Sequence, residues 1–192
     1  MTSVIDNDLV SRAAKRDREA TAALLTEIRP GLVRYCRARL GRIGGAYTTA
    51  DDVAQEICLA LLRALPKYRD MGRPFSAFVY GIAAHKVADA QRAAVRGSAV
   101  SPVEQIGDEP DTTPGPEQMA ESADLARRLS GLLARLPETH REIVLLRVAV
   151  GLSADEVGAV VGMSPAAVRV TQSRALARLR TLAADSFREV AA

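Results

Sequence analysis

The sequence predicts an all-α protein: two small helical domains joined by a flexible acidic linker, the second carrying a helix-turn-helix. Three observations predict it. The 192 residues are rich in Ala, Leu, Arg and Val, 48% are hydrophobic and only 4% aromatic, a composition that suits helices packed through small and aliphatic side chains. No alternating run of β-branched residues marks a sheet. Charge is partitioned: residues 1–96 carry +6, residues 97–126 carry −7 without a single base, and residues 127–192 carry +4. Two basic blocks separated by an acidic one suit two nucleic-acid-facing units and a tether.

Asp6 to Lys15 and Arg18 to Leu40 have helical spacing, with Leu24, Ile28, Leu32 and Tyr35 on one side of the second. The glycines of Gly41 to Tyr47 mark a loop. Thr48 or Thr49 can cap a helix from about Ala50, which Pro66 ends. That helix has a core stripe of Val53, Ile57, Ala60, Leu61 and Ala64. Its other side mixes Asp52, Gln55, Glu56 and Arg63 with Leu59 and Leu62. Two leucines among charges fit either a docking face or a helix buried on both sides.

Pro66 to Pro74 reads as a loop, followed by a helix from Phe75 to about Arg96 with a stripe of Phe75, Val79, Ile82, Ala83 and Ala90. Along another edge lie Phe78, His85, Asp89, Arg92 and Arg96, one continuous helical face. Tyr68, Phe75, Phe78 and Tyr80 are four of the chain's seven aromatics. Aromatic rings stack unpaired bases at about 1–3 kcal/mol each, and guanidinium groups hold phosphates. Phe75 is assigned to the core.

Gly97 to Glu121 has four prolines, three glycines and no base, and no independent fold is expected of it. Ser122 to Leu136 then carries Leu125, Leu129, Leu132, Leu133 and Leu136, an amphipathic helix. The next helix follows Pro137, with Ile143, Leu146 and Val150 as core and Gly151 as its end. His140 is expected on the surface.

Leu152 to Arg180 is the most informative stretch. Ser153 and Glu156 have capping-box spacing, Val157, Val160 and Val161 form one stripe, Gly162 makes a tight turn, and Ser164-Pro165 starts a second helix. That helix buries Val168, Ala175, Leu176 and Leu179 and presents Arg169, Ser173 and Arg174. A basic second helix after a three-residue turn is the pattern of a helix-turn-helix. Asp185 to Ala192 is expected to fray.

Enzyme chemistry finds no support: there is no Walker loop, HExxH or Cys/His metal spacing, and Cys36 and Cys58 read as structural thiols. No cofactor and no metal are expected. No signal-like start or run of about 20 apolar residues points to membrane insertion, so the expected location is the cytoplasm. A conventional helix-turn-helix regulator would need a sensor or dimerisation unit upstream, and the N-terminal block lacks the strand–helix alternation of a receiver domain.

Three segments in order, DDVAQEICLALLRALPKYR, RPFSAFVYGIAAHKVADAQR and GLSADEVGAVVGMSPAAVRVTQSRALARLR, resemble the extracytoplasmic-function (ECF) sigma factors of bacterial RNA polymerase, and FVYGIAAHKVADA resembles most the actinobacterial sigma-D group. The resemblance implies an alternative sigma factor, non-enzymatic, that binds core RNA polymerase through its clamp coiled coil and flap and opens promoter DNA. Residues 1–96 would be the region-two domain, 97–121 the linker and 122–192 the region-four domain. Asp52, Gln55, Glu56, Leu59, Leu62 and Arg63 would face core polymerase. Tyr68, Arg69, Arg73, Phe78, His85, Lys86, Arg92 and Arg96 would serve the minus-ten element, with Phe78 where the family commonly has tryptophan and His85 where many members have asparagine. Asp89 would mainly orient Arg92. Ala166, Arg169, Val170, Ser173 and Arg174 would read the minus-thirty-five element. Many relatives are held by an anti-sigma factor, which is the further partner the resemblance suggests.

Overall fold

The structure, a computed structural model, describes residues 5–40, 50–97, 124–125 and 128–191. Among them there is no strand. The loop expected at 41–47, the Thr48 or Thr49 cap and the acidic linker beyond Gly97, which ends α4, lie outside the described residues.

The N-terminal helices follow from their caps. Asp6 accepts a bond from the Asp8 amide (2.9 Å) and starts α1, Asn7–Ala14. The chain leaves α1 through Arg16 in the left-handed region (φ 68) and turns into Asp17. Asp17 accepts from the Ala20 amide (3.1 Å) and from Arg12 (2.9 Å), which caps α2, Arg18–Leu40. These bonds to the Ala20 amide and Arg12 hold the Asp17 carboxyl below its usual range. α2 runs on through Pro30, where one backbone bond is lost. α3 is Ala50–Ala64, followed by a 3-10 turn over Leu65–Lys67 and then α4, Phe75–Gly97.

Leu24, Leu32, Tyr35, Ile57, Leu61, Val79 and Val87 are fully buried and bind α2, α3 and α4 together. Val53 and Ala54 are buried, whereas Ala60, Ala64, Ile82 and Ala90 are only half-buried. Tyr80, grouped by sequence with the base-stacking aromatics, is instead core: it is 5% exposed and packs edge-on against Tyr35 at 5.5 Å.

In the C-terminal half, α5 spans Glu138–Val144 and continues as a wide π-helical stretch over Leu145–Val150, stopped by Gly151 at φ 93. α6 is Ala154–Val161 and α7 Pro165–Ala191. Where a frayed tail is expected from Asp185, α7 instead runs on to Ala191. His140 is half-buried rather than on the surface. Leu133 and Leu136 are buried, but Leu125 and Leu129 are 68% and 52% exposed. Among the described residues of the expected amphipathic helix, only the last turn is buried.

The two halves pack on each other. Ile143, Leu146, Val150, Leu152, Ala154, Val157 and Val168 belong to the same apolar cluster as the α2–α4 core. A smaller cluster of Leu133, Leu136, Val144, Leu145 and Ala175 has Ala38 of α2 against it. Polar bonds cross the seam as well. Tyr35 donates to Glu142 (2.7 Å), and Arg39 pairs with Glu138 (2.5 Å) and Glu142 (3.3 Å). Burial pushes the Glu142 carboxyl up, against the Tyr35 bond and the Arg39 charge. Burial would raise Glu138 too, but the hydrogen bond and charge of Arg39 outweigh it and hold that carboxyl low.

Candidate polymerase and promoter interfaces

The first surface is the outer stripe of α3. Asp52, Gln55, Glu56, Leu59, Leu62 and Arg63 recur at three- and four-residue steps, so a helix aligns them, and all six are exposed. Leu59 is 46% and Leu62 37% exposed, which rules out burial of α3 on both sides. Asp51, just before the stripe, is taken by a two-pronged pair with Arg37 of α2 (3.1 and 2.8 Å), which fixes the start of α3. Leu62 and Arg63 continue into a groove with Leu25, Pro66, Arg16 and Arg18. Sequence reasoning missed this extension, because Arg16 and Arg18 reach it only through the left-handed turn between α1 and α2.

The second surface runs from the Pro66 turn along α4. Tyr68, Phe75 and Phe78 form a three-ring cluster with centroids 5.0 to 5.7 Å apart. Phe75 is buried, as expected, while Tyr68 and Phe78 keep an edge in water. Such a wall offers ring surface beside cations. Arg69, Arg73, His85, Arg92 and Arg96 are exposed and Lys86 is half-buried. Asp89 bonds Arg92 at 2.5 Å, the arginine it is expected to orient, and also lies 3.8 Å from His85. Lys86 lies 3.5 Å from Glu56 on α3. Arg73 is not free: it donates to the Ala159 carbonyl of α6.

The third surface is α6, the turn and the start of α7. The capping box is complete, with Ser153 accepting from the Glu156 amide (3.1 Å) and Glu156 accepting from the Ser153 amide (2.8 Å). Gly162 adopts φ 72 at the turn, and Ser164 accepts from the Ala167 amide (3.2 Å) to start α7. A side chain at Gly158 would bring its Cβ within 2.5 Å of the Met163 carbonyl oxygen, so the turn closes only over glycine. Val168 and Ala175 are buried and Leu176 and Leu179 half-buried beneath α7. Ala166, Arg169, Val170, Ser173 and Arg174 are all exposed. Arg147 donates to Gln172 (2.9 Å) and to the Leu152 carbonyl, bracing α7 against the π-helical end of α5. That brace was not anticipated from sequence, where Arg147 and Gln172 are 25 positions apart.

Among the described residues no cluster of His, Cys, Asp and Glu suits a metal ion, and Cys36 and Cys58 are free thiols. No described helix is long and apolar enough to cross a membrane.

An all-helical chain with these exposed basic and apolar faces has the makings of a transcription initiation factor, and the comparisons say which kind. Residues 24–97 match the family model described as sigma-70 region 2, and residues 126–179 that described as sigma-70, region 4. The chain is 55% identical over 172 residues to the ECF RNA polymerase sigma factor SigD of Mycobacterium tuberculosis, covering 90% of this chain and 81% of that one. It is 53% identical over 178 residues to the ECF sigma factor ShbA of Streptomyces griseus, covering 91% and 93%. The structure of CnrH in complex with the cytosolic domain of CnrY is similar at a TM-score of 0.68 and 26% identity, over 94% of this chain and 97% of that one. The chain belongs to the ECF RNA polymerase sigma factors. It is an alternative sigma factor, which directs promoter-specific transcription initiation.

Proposed function

We propose that the three surfaces divide the work of initiation. The α3 stripe of Asp52, Gln55, Glu56, Leu59, Leu62 and Arg63 grips the clamp coiled coil of core polymerase. Tyr68, Arg69, Arg73, Phe78, His85, Lys86, Arg92 and Arg96 hold the minus-ten element open, rings against bases and cations against phosphates. Ala166, Arg169, Val170, Ser173 and Arg174 enter the major groove at the minus-thirty-five element. Residues 1–96 and 122–192 act as the region-two and region-four units, with 97–121 as the linker. The protein works in the cytoplasm and catalyses no reaction of its own.

The observation that carries this reading is the exposure of Leu59 and Leu62 within an acidic stripe. A regulator that binds DNA without polymerase would use such a water-facing apolar stripe only for dimerisation or sensing, whereas a polymerase subunit needs it for docking. CnrH was solved with the cytosolic domain of CnrY. By that likeness, an anti-sigma protein is a second partner for this chain. The test is reconstitution: purified chain plus core polymerase starts transcripts at defined sites on a library of promoter fragments. Failure on the whole library, with core binding also absent, would overturn the assignment.

A further inference from the structure

The groove at the end of α3 carries a charge opposite to that of the stripe it adjoins. Arg16 and Arg18, from the turn between α1 and α2, rim it together with Arg63, and Leu25, Leu62 and Pro66 give it an apolar floor. None of its lining residues is acidic. Among the described residues no carboxylate pairs with Arg16, Arg18 or Arg63. Asp17, between the first two, is taken by Arg12 and the Ala20 amide. Three like charges around one groove repel each other, and an anion held among them relieves the repulsion. Arg16 also sits at φ 68, a left-handed conformation that costs free energy in residues other than glycine. The chain bears that strain at a residue whose side chain lines the groove. The volume, about 660 Å³, is that of a site for a drug-sized ligand, and so for a nucleobase with its sugar and phosphate.

What adjoins the groove says which anion it takes. Asp52 and Glu56 of the α3 stripe call for a basic partner, so a polymerase segment lying along the stripe meets the wrong sign of charge once it reaches Arg63, Arg16 and Arg18. On its other side the groove runs into the minus-ten surface: Leu65 and Pro66 line it, and Tyr68 follows two positions later. Along α4 the rings of Phe75 and Phe78 stand at the start, and Arg92 and Arg96 stand at the end without a ring beside them in sequence. Rings suit unpaired bases, and cations alone suit the phosphates of a duplex. Unpaired strand therefore leaves by the ring end, past Tyr68, and the groove continues in that direction.

We infer that this groove binds the unpaired strand just beyond the minus-ten element, on the side away from the minus-thirty-five element, with phosphates on Arg16, Arg18 and Arg63 and a base against Leu25 and Pro66. The path starts from Tyr68 and Arg69, and so rests on their assignment to the minus-ten element. A strand that ends at that element tests the assignment and a longer one tests the groove, so the two fail separately.

The experiment uses the full chain assembled with core polymerase and two fluorescent single strands, cut from a promoter at which the assembly starts transcripts. One strand ends at the minus-ten element and the other carries a few further nucleotides downstream. Arg16→Gly, which also relieves the left-handed strain, is combined with Arg18→Ala. Both side chains are exposed, so the fold does not depend on them. The double variant loses at least fivefold in affinity for the longer strand and less than twofold for the shorter, and its binding to core polymerase stays within twofold of the wild type. A photocrosslinking residue in place of Ala22, exposed at the groove, labels the longer strand within its added nucleotides. An equal loss on both strands, or no loss on either, overturns the groove as a strand site. A crosslink to a polymerase subunit in place of DNA, or a loss of core binding in the double variant, assigns the groove to polymerase and overturns it as well. If the wild type binds neither strand, the minus-ten assignment falls and the groove's role falls with it.

Discussion

The ammonium group of Lys86 lies 3.5 Å from a carboxylate oxygen of Glu56, so the helix assigned to the minus-ten element is tied to the stripe assigned to polymerase. The pair is partly exposed, and such pairs contribute at most about 1 kcal/mol to stability. Its consequence is for availability rather than for folding. Glu56→Gln frees Lys86, and the salt dependence of single-strand binding should steepen by about 0.7 in log–log slope if Lys86 gains one phosphate. A titration with minus-ten single strand over a range of salt concentrations checks it; an unchanged slope means Lys86 stays off the DNA.

Leu59→Asp should abolish core-polymerase binding with little loss of stability, because an exposed substitution usually changes folding by less than about 0.5 kcal/mol. Polymerase pull-down and a melting curve on the same preparation separate the effects. A large drop in melting temperature would mean that Leu59 supports the core.

Arg174→Ala should weaken promoter use by about 1–3 kcal/mol if the guanidinium reads a base edge, and the loss should fall on particular minus-thirty-five sequences. Uniform weakening over all sequences would make Arg174 a phosphate contact. Competition binding on a randomised minus-thirty-five library distinguishes the two.

The cap of α6 and its turn into α7 should be the most sensitive local features. Ser153→Ala removes one of the two capping-box bonds at a cost of about 1 kcal/mol. Gly158→Ala forces a methyl against the Met163 carbonyl and should cost about 1–3 kcal/mol. Thermal melting ranks the two, and an unaffected Gly158→Ala protein would show that the turn has slack.

Burial pushes the Cys36 thiol from an ordinary value near 9 up to about 12, and burial also raises Cys58. Both should therefore resist alkylation in the native protein at pH 8 and react once it is unfolded. The sign of the pH effect follows. The folded value lies above the unfolded one, so the contribution of Cys36 is full below about pH 9 and gone once the pH has risen through about 12. Denaturant midpoints across that window should fall, and the decline should be smaller in Cys36→Ala.

The helices and their faces were legible because their signals are local. Asp6, Asp17, Ser153, Glu156, Gly162 and Ser164 act within five residues of themselves, so capping and turning are written in nearby letters. The α3 stripe was legible for the same reason: a 3.6-residue period decides which side chains share a face. What that period leaves open is what each face meets. Leu59 and Leu62 were compatible with core or surface until the packing of α2 and α4 left them in water. Tyr80 was indistinguishable from Phe78 in sequence, yet it is covered by Tyr35, 45 positions away. Arg39, Glu138 and Glu142 carry no local sign of being partners, and neither do Arg73 and Ala159. Long-range pairs of this kind depend on how whole helices dock, which is set by the summed fit of many side chains. Thus the helices and their exposed faces follow from short-range pattern and the family from the resemblance of three motifs, while the seam that joins the two halves exists only once the helices are packed.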